Sequence, residues 1–282
     1  MDLVIQAALV GLLQGLTEFI PISSSAHLEF APWIAGWPAD EGLIGSLAFD
    51  VFLHLGTLVA LLIYFARDWI RYLGALIASV RERRMGDDPD RRIAWLLIIA
   101  TIPAAMIGFA LEGLIEETFH GNNDGARLAI AGFLVAGAAA LWLADRYGGH
   151  RREIADLTTS TALAIGMSQA LALLPGISRS GATITAGRAL GLTREAAARF
   201  SFLLATPITL GAGLYGSRRL FTETHTGTEW LAIGVGFIVA LLSGLLAIGF
   251  LLAWLRRRSL AIFSVYRIGF ALLIVLLVVV GR

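Results

Sequence analysis

The chain has 282 residues, 57% of them hydrophobic and only 15% charged, and its 22 cationic side chains against 21 acids leave a net charge of +1. A mean hydropathy of +0.77 excludes an ordinary soluble domain, where about 25% of residues are charged, and no basic tail or patch speaks for nucleic acid. Every cation other than histidine is arginine, and the absence of cysteine excludes disulfides, thiolate metal sites and a cysteine nucleophile.

About 20 apolar residues are needed to cross the hydrocarbon core of a bilayer. The first apolar stretch, 3–20, is too short and ends in the polar break "PISSSAH" (21–27). It lacks the cationic flank of a signal peptide, since the first arginine is Arg67, and is expected to belong to the mature fold. Spans follow at Leu47–Ala66, Ile93–Leu111 and Leu128–Ala144. A second short stretch, 160–175, ends in "PGISRSGAT" (175–183), and spans at Phe200–Gly216, Trp230–Leu255 and Leu260–Val280 complete the chain. Irregular backbone at membrane depth is tolerated only inside protein or along a wet cavity. The expected fold is therefore an all-α polytopic membrane protein, a single domain over 1–282, with six transmembrane helices and two re-entrant helical hairpins.

Loop charge gives the orientation. Residues 67–92 hold seven arginines, the 145–160 loop adds Arg146, Arg151 and Arg152, and 256–258 reads "RRR". By the positive-inside rule these loops face the cytoplasm and the acidic 112–127 loop faces outward. The 217–229 loop, with Arg218 and Arg219, is also assigned outward. One hairpin then starts outside and the other inside, which predicts an inverted repeat of about 1–144 and 160–282 around a cytoplasmic linker, 145–159. A gapless alignment at an offset of 155 supports it: Gly11/Gly166, Gln14/Gln169, Leu16/Leu171, Ile22/Ile177, Ser23/Ser178 and Ser25/Ser180 are identical. The two breaks are expected to meet near the midplane.

In the first hairpin, Gln14 and Glu18 share a helix face, Pro21 interrupts the helix, and Ser23, Ser24, Ser25, His27 and Glu29 follow. A carboxylate in a membrane segment defaults to function. Glu18 can ligate a hard divalent cation, Mg2+ or Ca2+, with the Gln14 carbonyl oxygen beside it; the structural alternative is a simple pair with an arginine. In the second hairpin, Arg179 lies between Ser178 and Ser180 and before Gly181, a guanidinium with hydroxyls and turn amides that suits a phosphate. If the hairpins meet, Arg179 and Glu18 share a pocket, where serine and histidine allow nucleophilic attack with proton transfer. Asp50 and His54, four apart in "FDVFLHLG", either support the site from behind or are structural. Arg188, Arg194, Arg199 and the arginines of 81–92 are expected at the cytoplasmic surface or lipid headgroups, and His120, His150 and His225 in solvated loops.

"QGLTEFIPISSSAH", "FDVFLHLGTLVA" and "LLPGISRSGATITAG" followed by "ARFSFLLATP" resemble the bacterial undecaprenyl-diphosphate phosphatase family, also associated with bacitracin resistance, over essentially the whole chain. The resemblance implies hydrolysis of undecaprenyl diphosphate to undecaprenyl phosphate and inorganic phosphate, which recycles the lipid carrier for cell-wall synthesis. It also implies a divalent cation, inverted repeats with re-entrant hairpins, and a site open to the periplasmic side of the bacterial plasma membrane. By motif position the metal pattern falls on Gln14 and Glu18. The serine-rich turn falls on Ser23 and Ser24, its histidine on His27, and the phosphate-gripping arginine on Arg179 with Ser178 beside it. Gln14 stands where the family often has a glutamate, so only Glu18 brings negative charge there. Ser25 and Ala26 replace the usual threonine and glycine.

The expected nucleophile is Ser24, activated by His27, with His27 itself as the alternative; Ser23, Ser25, Ser178, Ser180 and Gly181 are expected to bind substrate. Partners are expected to be the polyprenyl diphosphate and membrane lipid, with a homodimer the open alternative to a monomer. The rival function is a lipid-phosphate transporter or flippase, since broken helices in inverted repeats are a transporter signature. An acid-phosphatase-type lipid phosphatase is set aside because its motif needs a lysine.

Overall fold

The computed structural model describes residues 2–37, 42–119, 123–149, 151–222 and 225–281. Eleven α-helices are described: α1 (Leu3–Phe19), α2 (Ser24–Ala35), α3 (Leu47–Tyr64), α4 (Ala66–Glu82), α5 (Pro89–Phe119), α6 (Asp124–Tyr147), α7 (Thr159–Ser168), α8 (Arg179–Ala189), α9 (Arg194–Thr222), α10 (Gly227–Leu255) and α11 (Ala261–Val279). A 3-10 turn, Gln169–Leu173, continues α7. Six of these helices, α3, α5, α6, α9, α10 and α11, carry apolar stretches long enough to cross a membrane. The 17 residues of α1 rise only about 26 Å, short of the roughly 30 Å core.

Four of the six, α5, α6, α9 and α10, run past their expected limits, while α3 and α11 keep within theirs; polar caps outside the apolar windows start two of the longer ones. Thr226 caps α10 in a reciprocal box with Glu229, and Asn123 accepts from the Ala126 amide to start α6. Two expected loops are corrected. Much of 112–127 is the end of α5, which runs to Phe119, and α9 continues to Thr222. Within the arginine-rich 67–92 segment, α4 is a complete helix. Tyr72 is buried and Leu76 packs on the core, while Ile70, Leu73, Ile77 and Val80 are exposed. A helix with such faces and arginines along it suits the membrane interface.

The first helix of each short pair is held by a long helix of the other half of the sequence. α1 packs chiefly on α10 and α7 on α5, while α6 pairs with α11 and α3 with α9 and α10. A Cβ on Gly11 would fall 2.4 Å from the Gly236 carbonyl oxygen of α10, and one on Gly166 would fall 2.0 Å from the Ala100 carbonyl oxygen of α5. Helices approach this closely in membranes only where a small residue faces the partner backbone.

At one end of the helices, Asp145 gathers three elements. Its carboxylate accepts from Arg188 Nε at 3.1 Å, from Arg194 Nε at 2.7 Å and from the Leu260 amide at 3.0 Å. Arg188 is 1% exposed, so its expected place at the surface is corrected: the acid needed to bury it lies 43 residues away in sequence. Arg194 and Arg199 are only partly exposed, and Arg199 pairs with Asp68 at 3.0 Å. The expected linker is also fixed, with the Arg152 and Thr193 backbones joined by a 2.9 Å hydrogen bond. His225 packs edge-on to Trp230; His120 and His150 lie outside the described residues.

Candidate active site

Two similar turns start the site. Ser23 and Ser178 cap α2 and α8 from backbone with φ of 77° and 72°, a region that side-chain-bearing residues adopt at a cost of about 1–3 kcal/mol. Each hydroxyl accepts from the amide three residues on, Ala26 and Gly181 respectively. Each also meets the hydroxyl two residues on, at 3.2 Å for Ser23–Ser25 and 3.1 Å for Ser178–Ser180. The cap holds the strained turn closed, so the first residue of each helix, Ser24 and Arg179, projects from a helix N-terminus.

Both projecting residues meet Glu18, at the end of α1. Ser24 Oγ donates to Glu18 Oε2 at 2.6 Å, and Arg179 Nη2 donates to Oε1 at 2.5 Å. The carboxylate is 7% exposed and also accepts from Gln14 Nε2 at 3.1 Å. Arg179 is braced from α9 by the Ala205 carbonyl and the Thr209 hydroxyl. Ser180 Oγ reaches back to the Ile20 carbonyl at 3.4 Å, tying the second turn to the first. The structure thus brings Gln14, Glu18, Ser24 and Arg179 together, with Ser178, Ser180 and Gly181 forming the turn behind the guanidinium.

His27 is placed differently from its expected partner. Its Nδ1 hydrogen-bonds the Ser23 carbonyl at 2.7 Å and its Nε2 the Tyr266 hydroxyl at 2.7 Å. With Nδ1–H donating to the carbonyl, Nε2 accepts from the phenol. The ring is buried and stacks on Phe270 at 4.4 Å between centroids. Ser24 Oγ is directed to Glu18 instead.

Three neighbours escaped the list of expected site residues. His54 Nε2 lies 3.6 Å from Glu18 Oε2; the sequence named this histidine but could not aim it. Thr209 gave no local signal. Arg267 did, as a lone cation inside the last span. It is fully buried and donates through Nη2 to the Gly176 and Ile177 carbonyls at 2.8 and 3.0 Å. In that way α11 supports the second turn.

Among the described residues no group of three or more His, Cys, Asp or Glu side chains could hold a metal ion. One observation does suit a cation beside Glu18: Gln14 Oε1 is buried with no partner, its amide nitrogen being spent on Glu18. An orphaned oxygen next to a carboxylate is a donor set for a hard cation that takes its remaining ligands from substrate oxygens.

The fold and site together define a multi-pass helical membrane protein with a part-buried serine–carboxylate–arginine centre. Residues 7–273 match the family described as bacitracin resistance protein BacA. The chain is 44% identical to an undecaprenyl-diphosphatase of Thermomicrobium roseum, over 98% of this chain and 99% of the relative. It is 45% identical to the enzymes of that name from Alcanivorax borkumensis, over 95% and 97%, and from Moorella thermoacetica, over 96% and 97%. The chain belongs to the bacitracin resistance protein BacA family.

Proposed function

We propose that the chain hydrolyses undecaprenyl diphosphate to undecaprenyl phosphate and inorganic phosphate, as the names of its relatives state for them. The observation that carries this at the site is the pair of contacts on Glu18, Ser24 from one helix N-terminus and Arg179 from another. The diphosphate displaces Glu18 from Arg179, whose guanidinium then grips the phosphate oxygens in a fork. Release from Arg179 frees Glu18 Oε1, so the carboxylate can take the proton of Ser24, which already lies against it. The hydrogen bonding favours Glu18 over His27 for this step, because both His27 nitrogens are committed to Ser23 and Tyr266.

Ser24 Oγ attacks the terminal phosphorus, the bridging P–O bond breaks with its electron pair going to undecaprenyl phosphate, and the proton passes to Glu18 Oε1, the oxygen that Arg179 has released. Water then attacks the phosphoserine, phosphate leaves, and Glu18 returns the proton to Ser24. Glu18 and Gln14 Oε1 would hold a divalent cation, Mg2+ or Ca2+; when bound it neutralises charge on the diphosphate. Positioning and charge neutralisation are what phosphoryl transfer chiefly requires.

The two turns sit in re-entrant hairpins, α1–α2 and α7–α8, of an inverted repeat. Three things support that reading: the matched serine caps, the matched glycines at the α1–α10 and α7–α5 crossings, and the exchange of short helices between halves. Arginine-rich ends at 67–92 and 256–258 support a cytoplasmic placement of those segments in the plasma membrane, with the site open to the periplasmic side. The same repeat favours a second reading, a carrier of phosphorylated lipid. Phosphate release from the purified protein in detergent, where no second compartment exists, separates the two. Catalytic release, with a radiolabelled phosphate trapped on Ser24 after acid quench, is the expected result. Absence of release with intact lipid binding would favour the carrier, and a label on another residue would remove Ser24 as nucleophile.

A further inference from the structure

His54 enters none of the steps above, yet its ring is aimed at their centre. It stands on α3, four residues after Asp50, whose backbone carbonyl lies 2.8 Å from His54 Nδ1. A carbonyl oxygen only accepts, so Nδ1 carries a proton, and in the neutral ring the Nε2 lone pair is left facing Glu18. That lone pair lies 3.6 Å from Glu18 Oε2, too long for a hydrogen bond. Two atoms that ligate one ion at about 2.1 Å each stand roughly 3.0–3.5 Å apart. The arrangement also has the usual setting of a metal-bound histidine, whose other N–H is tied to a carbonyl or carboxylate that fixes tautomer and ring orientation. Beside it, Gln14 Oε1 is buried and has no partner, although Gln14 Nε2 and Ser24 Oγ both converge on the same Glu18 oxygen.

We propose that His54 Nε2 is a protein ligand of the divalent cation, completing with Glu18 and Gln14 Oε1 a three-point N,O,O site contributed by α1 and α3. This rests on the proposed use of a cation at this site and extends it. An imidazole compensates for the missing second carboxylate: glutamine supplies an oxygen without charge, and a neutral nitrogen donor adds bond strength that the amide alone lacks. It also changes which ion fits. Oxygen-only sites suit Mg2+ and Ca2+, whereas a nitrogen ligand raises the affinity for Mn2+ and later transition ions. His54 is 36% exposed, so the ligand also faces the route by which a hydrated ion enters.

The test uses the full-length protein in detergent, loaded with Mn2+ in the absence of substrate, and reads pulsed electron paramagnetic resonance for nitrogen modulation. The wild type is expected to show imidazole nitrogen coupled to Mn2+. In His54→Gln that coupling disappears and the Mn2+ dissociation constant rises about tenfold or more. His27→Gln, which alters a ring turned toward Tyr266, keeps the coupling. Bound Mn2+ without nitrogen coupling in the wild type, coupling that survives in His54→Gln, loss in His27→Gln alone, or no Mn2+ binding would each overturn the proposal. Phosphate release measured on the same wild-type sample separates these outcomes from failure of the phosphatase reading, since the resonance signal needs no turnover.

Discussion

Glu18 is the residue on which the rest of the site is aligned, and its two oxygens do different things. Oε1 holds Arg179 and Oε2 receives Ser24, Gln14 and the approach of His54. Removing the proposed nucleophile and removing the proposed phosphate grip therefore have separable signatures. Ser24→Ala should lower kcat by at least about a thousandfold, as for an essential nucleophile, while prenyl diphosphate still binds in an equilibrium assay. Arg179→Lys keeps the charge but loses the two-pronged donor set. It should cost about 100-fold or more in kcat/KM, with phosphate release as the readout. The meeting of Glu18 with Ser24 and Arg179 was legible in the sequence, because glutamate, three serines and an arginine in membrane segments have few structural excuses. The direction of His54 and the orientation of His27 toward Tyr266 were not legible, because both depend on where α3 and α11 pack.

At the scale of elements, the site depends on how closely α1 and α7 can approach their supporting helices. Gly11 and Gly166 face carbonyl oxygens with no room for a Cβ, whereas a Cβ on Gly132 of α6 would meet nothing within 4 Å. Gly11→Val and Gly166→Val should each destabilise the fold by at least about 1–3 kcal/mol, by overpacking a helix crossing. Gly132→Ala should be neutral or raise stability by up to about 1 kcal/mol through helix propensity. Thermal unfolding in detergent, followed by circular dichroism, distinguishes the three. The alignment at an offset of 155 made these two glycines visible as a pair, but only the packing shows what each one touches. α4 escaped the sequence reading because its arginines masked an apolar period that faces both the core and the membrane surface.

Across the whole molecule, Asp145 joins α6, α8, α9 and the start of α11 through two arginines and a backbone amide. Asp145→Ala should cost about 3–5 kcal/mol, because it strips the carboxylate from buried Arg188; lowered melting temperature with unaltered site residues is the expected signature. Orientation is open to an equally direct measurement, since the chain has no cysteine of its own. Single cysteines at Met85 and Gly125, which flank α5 at opposite ends, should react from opposite sides of sealed vesicles. The Met85 position is expected on the cytoplasmic side. Hydropathy made the six long helices legible, while the Asp145 cluster was hidden because its arginines looked like ordinary surface charge.

The seating of α1 on α10 has a consequence for the birth of the chain. Residues 3–19 leave the ribosome well before their partner, which begins at Gly227. At roughly 5–20 residues per second α1 waits about 10–40 s for the helix that covers its glycines. For most of that interval Glu18 has no Arg179 to pair with, because Arg179 lies 160 residues after α1 ends. Assembly of the proposed site thereby waits for α10, so products truncated before Gly227 should insert without assembling a working site.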